Sequence, residues 1–209
     1  MNHPLHRQVR DYYEGKLREH GATPPGVDWN SQASQELRFA QLARLWDGER
    51  MASVLDYGCG YGALLPWLRG TGFGGPYAGF DLSHEMIAAG DRAATDARLT
   101  GWDFTADRHA VAPADFVVAS GIFNVRIDAT ETDWRDYVLT TIDELASLAR
   151  RGFAFNALTL YSDADRRRPD LYYADPLELF DHCKRRHSRL VALIHDYPLY
   201  EFTMIVRRS

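Results

Sequence analysis

From Ala52 to Val206 the chain alternates short apolar runs with longer polar or amphipathic stretches. Seven runs stand out in order: ASVLDYG, YAGFDLS, RLTGW (the weakest), DFVVASG, FAFNALTL, RLVALIH and YEFTMIV. The early ones are continuous apolar blocks, the texture of parallel strands buried on both faces. Helical periodicity fills gaps between them, notably in SHEMIAAGDRAA and WRDYVLTTIDELASLAR. Only DYPLY separates the last two runs, which is too short for a crossover helix, so they should form an antiparallel hairpin. Ahead of the first strand, Phe39, Leu42, Ala43 and Trp46 recur at helical spacing behind a cap at Asn30 or Ser31. An earlier helix carries Val9, Tyr12, Tyr13 and Leu17, and HGATPPGVDWN breaks the two apart. The pattern predicts an α/β fold: a doubly wound, seven-stranded sheet, mostly parallel, with a C-terminal antiparallel hairpin and N-terminal helices.

Composition narrows the partners. The 209 residues are 45% apolar and 25% charged, ordinary for a globular chain, with a formal net charge of −5. That balance gives no basic face for nucleic acid. No apolar run approaches a membrane span, and MNHPLHRQVRDYYEG is too polar for a secretory signal. Two cysteines, Cys59 and Cys183, make neither a disulfide framework nor a metal cluster. The expectation is a cytoplasmic protein acting on a small molecule, with no nucleic-acid or membrane partner.

Candidate chemistry centres on VLDYGCGYGALLPWL. The first strand ends at Asp56, and Gly58, Gly60 and Gly62 follow at alternating positions before a helix that must hold Pro66 in its first turn. Ligands of open α/β sheets sit beyond the carboxyl ends of the strands, where strand order reverses. A glycine turn there can hold a phosphate or carboxylate against a helix N-terminus. Asp81, at the end of the second strand, is placed to accept hydrogen bonds from both hydroxyls of a ribose. The dinucleotide fingerprint G-x-G-x-x-G fails here, because the third glycine comes one position early. An acid two residues before the first glycine also suits an ammonium better than a pyrophosphate. Ribose, ammonium and carboxylate together describe S-adenosyl-L-methionine.

VLDYGCGYG followed by YAGFDLS closely resembles the cofactor motifs of class I S-adenosylmethionine-dependent methyltransferases. The resemblance runs from about Ala52 to the C-terminus, terminal hairpin included. It implies a Rossmann-like fold, S-adenosyl-L-methionine as cofactor and S-adenosyl-L-homocysteine as product. By motif, Asp56, Gly58, Gly60 and Gly62 surround the methionine part, Asp81 binds ribose and Leu82 packs on adenine. Ser120, Gly121 and Ile122 lie near the reacting centre. An acid often receives the adenine amino group after the third strand; here Trp102 and Asp103 are the candidates, with Gly101 beside them. One domain is expected over residues 1–209, with 1–50 a helical lid and 51–209 the binding core. Trp29, Gln35 and Arg38 belong to that lid, where Arg38, if inward, suits an anionic substrate or the cofactor carboxylate.

The acceptor is less legible. Asn124, Asn156, Tyr161, Tyr172 and Tyr173 are candidate substrate contacts, and His195 is the most attractive general base. Each has a plainer reading beside it: His195 as a hairpin-loop residue, Asn156 as a structural amide, one tyrosine and Trp29 as core. Cys59 reads as a small residue chosen for fit or as a reactive thiol. SGIFN after the fourth strand lacks the Asn/Asp-Pro-Pro-aromatic motif of base and protein-amide methylation, which favours a small polar metabolite, methylated on oxygen or nitrogen. No constellation of acids suggests a metal, so metal-independent transfer is expected. A protein that binds the cofactor silently and a nicotinamide-dependent oxidoreductase are the rival readings.

Overall fold

The computed structural model describes residues 4–208; residues 1–3 of the expected lid and Ser209 lie outside the described residues. Seven strands form one sheet: β1 (Val54–Tyr57), β2 (Tyr77–Phe80), β3 (Trp102–Thr105), β4 (Ala114–Ala119), β5 (Ala149–Leu158), β6 (Leu190–Ile194) and β7 (Glu201–Arg207). Their order is β3-β2-β1-β4-β5-β7-β6. All pairings are parallel except those of β7, which inserts antiparallel between β5 and β6. The strand order reverses between β1 and β4, so the open crevice of the sheet lies there.

Successive residues of the central strands feed opposite faces. Leu55, Val117 and Phe153 belong to a core with Trp134, Val138, Ile142 and Leu145 of α5 (Glu131–Leu148) and Leu179 of α6 (Pro176–Arg186). Val54, Phe116, Val118 and Ala154 face the other way. There they meet Phe39 and Leu42 of α2 (Gln32–Ala43), Leu64, Leu65 and Leu68 of α3 (Leu64–Gly70), and Ala94 of α4 (His84–Asp96). Leu42, Leu65 and Leu68 are wholly buried, so each should cost about 2–5 kcal/mol when cut to alanine. Ser31 is the cap of α2, its side chain accepting from the Ser34 amide, and Ser83 caps α4 in the same way.

Three departures from the sequence expectation have local causes. The third strand begins at Trp102 rather than Arg98, because Arg98 and Gly101 both adopt positive φ in the turn that ends α4. The long helix stops at Leu148, and the chain passes directly into β5. An eleven-residue helix, α6, follows β5; Asp175 caps it and Pro176 opens it.

The first helix, α1 (Pro4–His20), crosses the carboxyl ends of the strands. Glu14 accepts from the Ser83 hydroxyl at 2.9 Å, and Arg18 pairs with Glu85 of α4. A 3-10 turn over Pro24–Val27 returns the chain to α2. Asp28 staples this turn to α1, taking the Tyr12 hydroxyl at 2.9 Å and Lys16 at 3.1 Å.

Candidate active site

Two cavities open at the carboxyl ends of the strands, under α1. The first, about 1020 Å³ including space open to solvent, lies between the β1–α3 loop, the ends of β2 and β4, and α1. Nine sequence candidates line it: Trp29, Asp56, Gly58, Gly60, Asp81, Leu82, Ser120, Gly121 and Ile122.

Asp56 is almost fully buried, and its carboxylate accepts from the Tyr77 hydroxyl at 2.8 Å. Burial pushes its pKa up to about 7; the Tyr77 hydrogen bond opposes the shift and the Asp81 charge adds to it. An ammonium placed beside it would reverse that shift. Asp81 accepts from the Gly60 amide through one oxygen and the Ser83 amide through the other, both at 2.9 Å. It thereby ties the glycine loop to the head of α4. Each oxygen keeps a second lone pair for a ligand hydroxyl. Burial raises the Asp81 pKa as well, against the two amides that favour its charge.

The loop itself differs from the phosphate-cradle reading. Gly58 and Cys59 donate their amides to the Phe80 carbonyl at 2.7 and 2.9 Å, Gly60 to Asp81, and Gly62 to Cys59 at 2.9 Å. Those four donors hold the loop to β2 and to itself. Gly62 does not line the cavity; at φ +73 its missing Cβ would stand 2.4 Å from the Phe104 ring, so its smallness serves packing. Cys59 is half-buried; loss of water around the thiol, with the Asp56 and Asp81 charges nearby, pushes its pKa well up and makes it a poor nucleophile.

Trp102 and Asp103 also lie elsewhere. The Trp102 indole donates to the Leu99 carbonyl at 3.2 Å and packs on Phe104, while Asp103 is exposed on β3. Leu82, Arg108 and Tyr137 bound that end of the cavity instead, with His6 of α1 set 5.6 Å from the Tyr137 ring. Gln35, which the sequence placed in the lid, lines this cavity too. Arg108, Tyr137 and Tyr13 were absent from the site candidates; they come from three separate segments, and no local motif marks them.

The second cavity, of about 790 Å³, lies beside the first and shares Tyr13, Val27 and Trp29 with it. Trp29 is the partition. The Arg38 guanidinium lies 3.9 Å from its ring centroid, and a Cβ on Gly121 would come within 2.4 Å of the indole. Gly121 has φ +77, so both its backbone and the indole demand glycine. Arg38 lines this second space rather than the first, and its charge is already used. Its Nε and a terminal nitrogen clasp Glu201 at 2.8 and 2.6 Å in a fully buried fork, and it also donates to the Ser34 carbonyl.

Of the acceptor candidates, Asn124 and Tyr173 line the second cavity. Asn156 is fully buried and structural: its Oδ1 accepts from the Gly121 amide at 2.8 Å and its Nδ2 reaches the Ser120 hydroxyl at 3.3 Å. It positions the Ser120–Gly121 turn instead of meeting a ligand. Tyr172 is buried in the α5–α6 core. Tyr161 is exposed, and its ring stands 6.1 Å from that of His195. His195 itself is exposed and lines neither cavity, because β6 is the edge strand and β7 and β5 separate it from the crevice.

Among the described residues, one group has metal-like spacing: Asp143, His182 and His187. It lies on α5 and α6, outside both cavities. Asp143 Oδ1 bridges the two Nε2 atoms at 2.9 and 2.8 Å, and Arg186 pairs with the other oxygen at 3.0 Å.

Comparison with known proteins agrees with this geometry. A family model for a methyltransferase domain matches residues 29–190. The Mycobacterium tuberculosis (strain ATCC 25618 / H37Rv) protein named "Putative methyltransferase Rv1506c" is 51% identical over 157 residues, covering 75% of this chain and 93% of its own. Among solved structures, the magnesium protoporphyrin IX methyltransferase ChlM of Synechocystis PCC 6803, with bound SAM, superposes with TM-score 0.70 at 16% identity, over 99% and 98% of the two chains. The N-methyltransferase NodS of Bradyrhizobium japonicum WM9, in complex with S-adenosyl-l-homocysteine, gives 0.68 at 15% identity, over 96% and 98%. These last two speak to the fold. With the glycine loop, the two aspartates and the β7 insertion already in place, the chain belongs to the class I S-adenosylmethionine-dependent methyltransferases.

Proposed function

We propose that the first cavity holds the cofactor and the second the methyl acceptor, a small polar metabolite methylated on oxygen or nitrogen. The observation that carries this reading is the shared wall: two spaces at the crevice of the sheet, divided by Trp29 and flanked by Ser120–Ile122. In the first space Asp56 takes the cofactor ammonium, Asp81 the ribose hydroxyls and Leu82 the adenine.

The step is a displacement. The acceptor lone pair attacks the methyl carbon, the carbon–sulfur bond breaks and its electrons return to sulfur, and the acceptor proton leaves to solvent. S-adenosyl-L-homocysteine remains. The second cavity is lined by no histidine, and its carboxylates Asp28 and Glu201 are held in ion pairs. Catalysis therefore rests on alignment, which can supply most of the acceleration for an already activated methyl group. No metal is needed for that step.

Residues 4–30 act as the cover, with α2 part of the fixed core. The exposed pairs of α1 with α4 are the weak kind that open readily, whereas Arg38–Glu201 is buried. The acceptor is a small molecule rather than nucleic acid, in keeping with a net charge of −5. Two free thiols accord with the reducing cytoplasm. No helix of the described residues is long and apolar enough to cross a membrane.

Calorimetric titration of the full chain with S-adenosylhomocysteine and with NAD tests the cofactor. Tight binding of the first alone is expected; preference for NAD would overturn the reading. Hydrogen exchange with and without S-adenosylhomocysteine tests the cover, and equal exchange over residues 4–30 would remove it. Screening polar metabolites for S-adenosylhomocysteine release then tests turnover.

A further inference from the structure

The second cavity carries an uneven charge. Three arginines line it, Arg38, Arg166 and Arg168, against two carboxylates, Asp28 and Glu201. Arg38 and Glu201 cancel in their buried fork. Arg168 grips Asp170 and stands 3.9 Å from Asp28, which Lys16 also approaches at 3.1 Å. Arg166 is different. The carboxylate within ion-pair reach is that of its chain neighbour Asp165, at 3.8 Å, and the Arg166 side chain is 69% exposed at the mouth. Asp165 and Asp163 lie on the same loop but do not line the cavity, and Asp163 already takes the Tyr200 hydroxyl. Among the lining residues alone, three arginines against two carboxylates leave one positive charge over, and Arg166 carries it.

Tyr173 and Tyr200 add hydroxyls to the same mouth, and Asn124 sits at the inner end. The Tyr173 oxygen already accepts from the Arg168 amide at 2.9 Å, which leaves its proton to donate. Arg166 and the Tyr173 hydroxyl are the donors this mouth offers, since the Tyr200 proton already goes to Asp163, and such donors suit an oxyanion. A planar guanidinium matches carboxylate or phosphate through two parallel hydrogen bonds.

We infer that the methyl acceptor carries an anionic group, a carboxylate or a phosphate, which Arg166 binds at the mouth of the second cavity. The remainder of the molecule extends inward, past Asn124, to present its hydroxyl or amine at the Trp29 partition. This rests on the assignment of the first cavity to the cofactor and the second to the acceptor. It makes Arg166 a residue that selects the acceptor and leaves the cofactor untouched.

The test uses the full chain saturated with S-adenosylhomocysteine and three probes: glucose 6-phosphate, glucuronate and glucose. Binding is followed by ligand-observed NMR and calorimetry. At least one anion should bind tenfold or more tightly than glucose, and its affinity should fall as sodium chloride is raised. Which anion wins separates a phosphate from a carboxylate source. Arg166→Ala should weaken the anion tenfold or more, Arg166→Lys should restore part of that loss, and S-adenosylhomocysteine affinity should not move in either. If neither anion binds better than glucose, or if Arg166→Ala binds the anion like the parent, the inference falls. Failure of S-adenosylhomocysteine itself to bind would instead remove the functional reading beneath it.

Discussion

The two cavities share Tyr13, Val27 and Trp29, yet they are built by opposite means. The first is made by backbone. Its loop is pinned by amides of Gly58, Cys59 and Gly60, and its two acids stand at the ends of adjacent strands. The second is made by side chains brought together from α1, the turn before α2, the segment after β4, the loop after β5 and the start of β7. A backbone-built site needs particular residues at particular offsets, because glycine and aspartate are the residues that fit such turns. A side-chain-built site needs only that some chain segment deliver a suitable group. The first is written locally; the second is free to change its lining without disturbing it.

The sharpest way to break this contrast is to cut the ion pair that fixes α2 beside the second cavity. Arg38→Ala leaves Glu201 buried and unpaired, which should cost about 3–5 kcal/mol in urea unfolding. Arg38→Met with Glu201→Leu should regain most of it, since both charges then leave the interior together. A single variant of parental stability would mean the pair is solvated and the second cavity is not held as described.

The first cavity should respond in binding more than in folding. Asp81→Ala should weaken S-adenosylhomocysteine by about 1.5–3 kcal/mol in calorimetry, the usual loss for hydrogen bonds to a charged group. If the variant loses stability and keeps affinity, Asp81 is only a staple between Gly60 and Ser83.

Protonation offers a gentler probe. With its folded pKa at about 7 against an ordinary 3.8, Asp56 keeps a proton that the unfolded chain has lost. Its contribution to stability is therefore present at low pH and fades as pH rises through that window. Cofactor binding runs the other way, because the ammonium needs the carboxylate ionised. Affinity should rise with pH up to about 7, by at most about tenfold per unit. Cys59 and Tyr77, which face Asp56, are pushed well up and stay protonated there, whereas Asp81 is also raised by burial and meets the ribose. 5′-Methylthioadenosine, which keeps the ribose and lacks the amino acid, should show the smaller slope in parallel titrations; an equal slope would clear Asp56 of the role.

The smallest effect is expected at His195. On the edge strand, outside both cavities, His195→Ala should change stability by no more than about 0.5 kcal/mol and leave the pH–rate profile as it was. A lost basic limb would move the acceptor site to the far end of the sheet.

How far the sequence could be read follows from the same contrast. The continuous apolar runs and the short DYPLY link predict all seven strands and the antiparallel finish, and Asp56, Gly58, Gly60 and Asp81 do meet at the first cavity. Gly62 shows the limit. A motif gives the residue but not what it packs against, and here that is Phe104. Trp102 and Asp103 drop out because β3 starts later than its hydropathy suggests, which puts both at its amino end, away from the crevice at the carboxyl ends. His195 looked apt by chemistry alone, but strand order decides distance, and β6 being outermost cannot be read from its own residues. Asp175 followed by Pro176 was a legible start for α6, since a capping acid before a proline is a strong helix opening. Tyr13, Arg108 and Tyr137 left no such trace, because only tertiary packing assembles them.

The contact between Trp29 and Gly121 has a consequence for ancestry. With 2.4 Å between the indole and the place a Cβ would take, the two positions cannot drift independently. A descendant that enlarges residue 121 must first give up the tryptophan, and in doing so it merges two rooms into one. A descendant that keeps the tryptophan inherits the glycine with it. Changes at Arg166 can accumulate one substitution at a time, but any change that reshapes the partition has to arrive as an ordered pair.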